Sequence, residues 1–276
     1  MADFPTDLSA VEDNVTDVLA KHVNNLEGKV GVNDSAVSTS LDSMVKTGWI
    51  PASEEWTYAS SDDPTYTLTI TGNVTSKYWP GMRIKLTDSG TQYFIITKVA
   101  YSDPNTTLTL YGGANYNLST GAITNPFYSR IKAPQGFSID PANWTEALSD
   151  TSNRAQTTPT ENTWYNPGSL SLTIPIGVWK VEWTAVMDFA KGTAGIVQVT
   201  TLSTANNSES DTDFSARKQS SVDTEIWESA SRGKNLSLAA KTVYYLNCRT
   251  LVASHTSIGF RGDQIPTKII AVSAFL

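Results

Sequence analysis

The sequence predicts a mainly β protein: a short N-terminal helical stalk, a small antiparallel β-barrel-like middle domain and a C-terminal sandwich. Three observations carry this. Helical periodicity is confined to residues 1–46. From Trp49 onward apolar residues recur every second position, and turn-forming clusters break the chain at short intervals. Of the 276 residues, 39% are hydrophobic and 17% charged, with 8 Trp, 11 Tyr and 8 Phe, so the chain is long and apolar enough to bury a sizeable core.

The first region, 1–46, carries the stripe Leu8, Val11, Val15, Leu19, Val23, Leu26, Val30. Its mean spacing of about 3.67 residues matches a nearly straight helix rather than a strict heptad. Asp7, Glu12, Asp13, Asp17, Lys21 and Glu27 lie off the stripe. A helix of roughly 35 Å with so narrow a seam does not hold alone in water. The seam therefore packs either on its own domain or on other copies of the chain, and the reading adopted is trimerisation. A second short helix is expected from an Asp34 N-cap through Val37, Leu41 and Met44.

The second region, 47–138, alternates Tyr66, Leu68, Ile70 with threonines, Met82, Ile84, Leu86 with Arg83 and Lys85, and Leu108, Leu110 with Thr107 and Thr109. Each stretch reads as a strand with one wet face. Asp62-Asp63-Pro64, Trp79-Pro80-Gly81, Asp88-Ser89-Gly90, Asp103-Pro104-Asn105 and Gly112-Gly113 supply the turns.

In the third region, 139–276, Trp179, Val181, Trp183, Ala185 and Met187 face one side of a strand that shows Lys180, Glu182, Thr184 and Asp188 on the other. Further strands are expected at 170–174, 195–202, 224–229, 235–238, 242–251 and 268–276. The last of these is apolar on both faces and reads as a central strand. About eight strands at this spacing fit a sandwich.

Twenty basic against 27 acidic residues give a net charge of -7 with no basic cluster, which removes the usual driver of nucleic-acid binding. No run approaches 18 apolar residues and no signal peptide is visible, so membrane insertion and secretion are not expected. One cysteine, Cys248, excludes an intrachain disulfide, and two histidines make a His-based metal site or triad unexpected. No phosphate-loop, dinucleotide, zinc-protease or nucleophile-elbow motif occurs. Of the carboxylate pairs Asp62/Asp63, Asp211/Asp213 and Glu225/Glu228, which could in principle serve as a glycosidase acid and nucleophile, all but the last sit in polar turns and read as solvated acids. Asn206, Asn207, Glu209, Asp211 and Asp213 offer oxygen ligands without the spacing of a calcium loop. The sequence thus implies no catalytic residue, no metal and no cofactor. Arg261-Gly262-Asp263 has the form of an integrin motif but reads as a turn, while Trp144, Trp164, Tyr165 and Trp227 sit near turns as possible platforms for a sugar.

The run from Ser169 to Val186, containing Ile174-Pro175-Ile176-Gly177 and Trp179-Lys180-Val181-Glu182-Trp183, resembles the C1q/TNF-like jelly roll. So do Asn235 to Leu246 and the ending Ile269 to Leu276, which is also similar to the last residues of bacteriophage fibre proteins. His22 to Val37 and the stretch from Gly81-Met82-Arg83-Ile84-Lys85-Leu86 to Lys132-Ala133-Pro134-Gln135-Gly136-Phe137 resemble the stalk and middle module of phage tail or head fibres.

The resemblance implies a non-enzymatic homotrimer, made without a signal peptide in the bacterial cytoplasm and attached to the virion (tail, baseplate or capsid) by its N-terminal region. Its tip would bind a host cell-surface glycan or protein. Loops near 149–168, 190–193, 231–233 and 252–266 would share the far end, which makes Trp164, Tyr165, Arg232, His255, Arg261 and Asp263 the candidate ligand residues. The alternatives are a structural or decorating virion protein without a receptor and, less favoured, a glycan-processing enzyme or its carbohydrate-binding module. The animal collagen-like repeat is missing, which argues against the extracellular animal branch.

Overall fold

A computed structural model describes residues 26, 29–31, 35–191, 195–221, 225–253 and 255–276. Leu8, Val11, Val15, Leu19 and Val23 of the expected seam lie outside the described residues. Leu26 and Val30 are helical and exposed. Helix α1, Leu41–Thr47, begins later than expected, because Ser40 rather than Asp34 is its N-cap. The Ser40 hydroxyl accepts the Ser43 N–H, satisfying a donor that the first helical turn leaves unpaired. Gly48, at φ 73, ends the helix in the left-handed conformation, and its N–H bonds the Met44 carbonyl.

Seven antiparallel strands follow: β1 (Ile50–Pro51), β2 (Thr57–Asp62), β3 (Thr65–Thr71), β4 (Arg83–Thr87), β5 (Thr91–Ser102), β6 (Asn105–Tyr111) and β7 (Thr124–Ser129), in the order β1-β7-β4-β5-β6-β3-β2. The three alternating stretches are β3, β4 and β6, and the turns at Asp62, Asp88 and Asp103 join neighbouring strands as expected. The sheet is open, which corrects the barrel expectation. Its edges are the two-residue β1 and the largely exposed β2, whose register shifts between Tyr58 and Ser60, leaving no continuous ladder for closure. Tyr66, Leu68, Ile70, Ile84, Leu86, Phe94, Ile96, Leu108 and Leu110 fill one core with Trp56 and Tyr78. Arg83, read as solvent-facing, is buried.

The C-terminal half holds β8 (Thr145–Asp150), β9 (Asn153–Thr157), β10 (Ser171–Ile174), β11 (Gly177–Lys191), β12 (Ile196–Ser203), β13 (Ala216–Ser220), β14 (Ile226–Leu238), β15 (Thr242–Thr250), β16 (His255–Arg261) and β17 (Thr267–Ser273). One sheet runs β10-β15-β12-β13. The other is built on β11, whose residues Gly177 to Phe189 pair with β14 along one edge. The opposite edge is shared in tandem: β17 covers Trp179–Thr184 and β16 begins at Met187. β8 then pairs with β17 and β9 with β16. β16–β17 and β8–β9 are therefore each one interrupted strand, broken at adjacent points by 262–266 and 151–152.

Several expectations change at this level. The expected strands at 224–229 and 235–238 fall together, from Ile226 on, in the one strand β14. β16 forms where a polar loop was expected, and β8, β9 and β13 carried too little apolar pattern to be read. β17 is not buried on both faces, since Ile270 and Val272 are only half-buried on its outer side. Trp183, Met187, Phe189, Phe260 and Ile269 meet Ile174, Ile196, Leu202, Leu246 and Cys248 between the sheets. Cys248 is a core residue, and burial pushes its thiol well above the usual range. The buried Gln198 amide bridges the layers, accepting from the Gly259 N–H at 3.1 Å and donating to its carbonyl at 3.0 Å.

The two halves share one core. Trp49, Ile95, Tyr111 and Phe137 pack into the same cluster as Trp144 and Trp179. Tyr111 donates to Glu146 at 2.9 Å, and burial raises the pKa of both. Gly113, at φ 61, lies against the Asn143 carbonyl so closely that any side chain would collide with it.

Candidate functional site

The seven-stranded sheet covers the end of the sandwich where β11 begins and β17 finishes, through contacts such as Gly177 with Thr97 and Gly81 with Phe275. At the far end β9, β11, β13 and β15 finish and β12 and β16 begin. This overturns part of the expected loop set: 231–233 lies within β14, and 262–266 interrupts the sheet rather than capping it.

The six candidate ligand residues accordingly separate. Arg232 is mid-strand opposite Trp183, and its Nε donates to the Ser215 carbonyl at 3.1 Å. His255 is 3% exposed, and its Nε2 accepts the Val197 N–H at 3.4 Å, so it cannot contact a surface ligand. Trp164 is half-buried under the Arg249 guanidinium, 4.5 Å from its ring centre, and the Tyr165 hydroxyl accepts the Thr160 N–H at 2.9 Å. Both brace the segment leading into β10. Trp144, considered as a platform, is fully buried.

Arg261 and Asp263 do come together, in a cluster with Trp227, one of the aromatic residues considered as a sugar platform, and with Glu225 and Asp188. The Arg261 guanidinium lies 4.2 Å over the Trp227 ring, 3.3 Å from Glu225 Oε1, 3.8 Å from Asp188 Oδ2 and, through Nε, 3.3 Å from Asp263 Oδ1. Trp227 is 47% exposed and Asp188 only 7%. Asp188 and Trp227 face each other across the β11–β14 ladder, a juxtaposition that sequence alone leaves unpaired. Burial, together with the charge and hydrogen bond of Glu225, lifts the Asp188 carboxyl to about 6 against the opposing pull of Arg261.

A carboxyl raised from 3.8 to about 6 holds its proton more tightly in the folded chain. The stability it lends is complete below 3.8 and is lost as pH rises through 6. Asp188→Asn is therefore expected to gain about 2 kcal/mol over the wild type across that interval, read from urea melts at its two ends. A difference that does not change with pH would refute this assignment.

Several other carboxylates weighed in the sequence are held by partners within the chain. Lys234 bridges Asp211 and Asp213 at 2.7 and 3.0 Å, Glu228 pairs with Lys218 at 3.2 Å, Asp62 pairs with Lys241 at 2.5 Å, and Glu209 bonds Ser215. Among the described residues no group of three His, Cys, Asp or Glu is placed to hold a metal ion.

A second concavity, not legible in the sequence, lies on the seven-stranded sheet. Lys85, Thr87, Thr91, Tyr93, Asn125 and Phe127 line a cleft of about 300 Å³. The Lys85 ammonium stands 4.1 Å from the Phe127 ring centre and 5.1 Å from that of Trp49.

No protein-family profile matches the chain, and no curated protein does. Among solved structures, it is similar to dimeric latent PorU from Porphyromonas gingivalis at 11% identity, covering 80% of this chain and 24% of that one, with a TM-score of 0.28. It is also similar to the structure of the infectious bursal disease virus Gx strain at 9% identity, 80% and 62% coverage and a TM-score of 0.26. The VP2 subviral particle of that virus gives 11% identity, 81% and 79% coverage and a TM-score of 0.23. The chain thus spans about a quarter of the first and less than two thirds of the second, and at these TM-scores none of the three carries an argument about fold or role. Among the described residues no helix is long and apolar enough to cross a membrane.

Proposed function

We propose that this chain is a non-enzymatic, homotrimeric bacteriophage fibre protein whose C-terminal half is a C1q/TNF-like jelly roll that binds a host-surface glycan or protein. The observation that carries the reading is the strand order. With β8–β9 and β16–β17 each counted as one interrupted strand, eight strands remain, and the sheets run first-eighth-third-sixth and second-seventh-fourth-fifth. An order of this kind in two facing four-stranded sheets supports the jelly-roll reading. The division into 1–46, 47–138 and 139–276 belongs to the same proposal, with the last two packed through a common core.

Surfaces suited to other copies support the trimer. The outer side of β14 carries the small residues Ser229, Ser231, Gly233 and Ser237, with Asn235 among them; the half-buried Ile270 and Val272 lie on the same face of the sheet, beyond Lys180 and Glu182 of β11. At the N-terminal side, Leu26, Val30, Val37, Leu41 and Val45 are 45–76% exposed, leaving apolar surface for self-association. Trp227 with Arg261 and Asp263 is the part of the sandwich best suited to a ligand, offering a ring, a cation and an anion within one patch. Asp188 and Glu225 both face the Arg261 guanidinium, at 3.8 and 3.3 Å, so the cation that a ligand would meet also holds these two acids.

The decisive measurement is solution mass by light scattering after size exclusion. A mass of three chains is expected, and a monomer would remove the fibre reading. Absence of binding to every susceptible host strain by a verified trimer would leave a structural or decorating virion role instead.

A further inference from the structure

We infer that the cleft beside Lys85 binds a pyranose that carries a carboxylate, of the uronic-acid type. The inference is independent of the trimer and jelly-roll proposals, because β4, β5 and β7 with their adjoining residues build the cleft by themselves. In the ladder Lys85 pairs with Tyr93 on one side and Phe127 on the other, which aligns three side chains in a row across the sheet. Thr87 pairs with Thr91 two positions along, and Asn125 lies beside them, adding hydroxyl and amide groups to the wall.

Lys85 is half-buried and makes no ion pair among the described residues. Lys77, Lys218, Lys234 and Lys241, by contrast, all have carboxylate partners. Burial alone lowers the Lys85 pKa, with no carboxylate in range to offset it. The two rings stabilise the cation without supplying an anion. In a chain of net charge -7 an ammonium left this way at a concave wall is available to an anion from outside. The aromatic sides add the condition that the anion carry a ring, since Phe127 and Tyr93 line the same cleft and give it an apolar wall. A volume of about 300 Å³ admits roughly one such residue.

The test is calorimetric titration of the full chain with sodium glucuronate, glucose and sodium acetate. Glucuronate is expected to bind, with glucose and acetate each at least about tenfold weaker. Lys85→Gln, which removes the charge, and Asn125→Asp, which sets a carboxylate beside it, are each expected to weaken glucuronate at least about tenfold while thermal melting stays near that of the wild type. Asn125 has φ 47, a conformation aspartate also tolerates, so the second variant tests the charge without disturbing the backbone. Absent glucuronate binding, equal binding of glucose or acetate, or undiminished binding by both folded variants would overturn the site.

Discussion

Replacing Arg83 by methionine is expected to destabilise the protein by about 3–5 kcal/mol, since three backbone carbonyls lose their donor at about 1–3 kcal/mol each, a large fraction of the stability of a typical domain. Arg83 is 1% exposed, and its guanidinium meets only carbonyl groups: Lys132 at 3.1 Å, Gly81 at 2.5 Å and Phe275 at 2.7 Å. It also lies 4.9 Å from the Phe137 ring centre. Among the described residues no carboxylate shares the charge, and burial pushes its pKa down to about 10. Methionine keeps most of the apolar stem, so the loss comes from the carbonyls left without a donor. Because Phe275 belongs to the chain's last residues and Lys132 also bonds the Leu276 carbonyl at 2.8 Å, the damage should reach the seam between the sheet and the sandwich. Lysine, which retains the charge but reaches fewer acceptors, should recover only part of the loss. Urea denaturation of the three proteins measures this, and a loss under about 1 kcal/mol for methionine would show that the carbonyls find other partners.

Trp144→Ala should cost a similar amount, about 3–5 kcal/mol, by opening a cavity where the halves meet. Trp144 is fully buried and stacks on Phe137 at 4.9 Å with an interplanar angle of 7°; its Nε1–H donates to the Ser138 carbonyl at 2.8 Å. Tyr111 and Tyr116 each stand 6.0 Å from it, and Tyr111 continues to Trp179 at 5.0 Å. Phenylalanine should restore most of the packing but leave the Ser138 carbonyl unpaired, costing about 1–3 kcal/mol. Thermal melts and near-ultraviolet circular dichroism read the effect. Melts with two separate transitions in the alanine variant would identify this ring cluster as what makes the halves unfold together.

The alternating stretches at Tyr66–Ile70, Ile84–Leu86, Leu108–Leu110 and Trp179–Met187 were legible because a strand with one wet face repeats every two residues. β8, β9 and β16 were not, since polar and small residues dominate them and their strand character comes from the neighbours they pair with. His255 shows how this misleads: between Ser254 and Thr256 it reads as a loop residue, yet pairing opposite Lys191 buries it. Arg83 misled in the opposite sense, as a charge that alternation assigns to solvent but that the packed C-terminus covers. Asp188, Glu225 and Trp227 were visible singly, while their meeting with Arg261 depends on which strands lie side by side.

By itself, then, the sequence determined the β class, the change of texture near Trp49, the main turns and the lack of known catalytic and nucleotide motifs, because these follow from local periodicity and residue type. Only the tertiary structure decided that the middle sheet stays open, that β16 and β17 share one edge of β11, that Arg261 gathers three carboxylates, and that Lys85 lines a cleft without a carboxylate partner. Each of these depends on contacts between residues far apart in the chain, and local pattern does not encode which distant partner covers a given side chain.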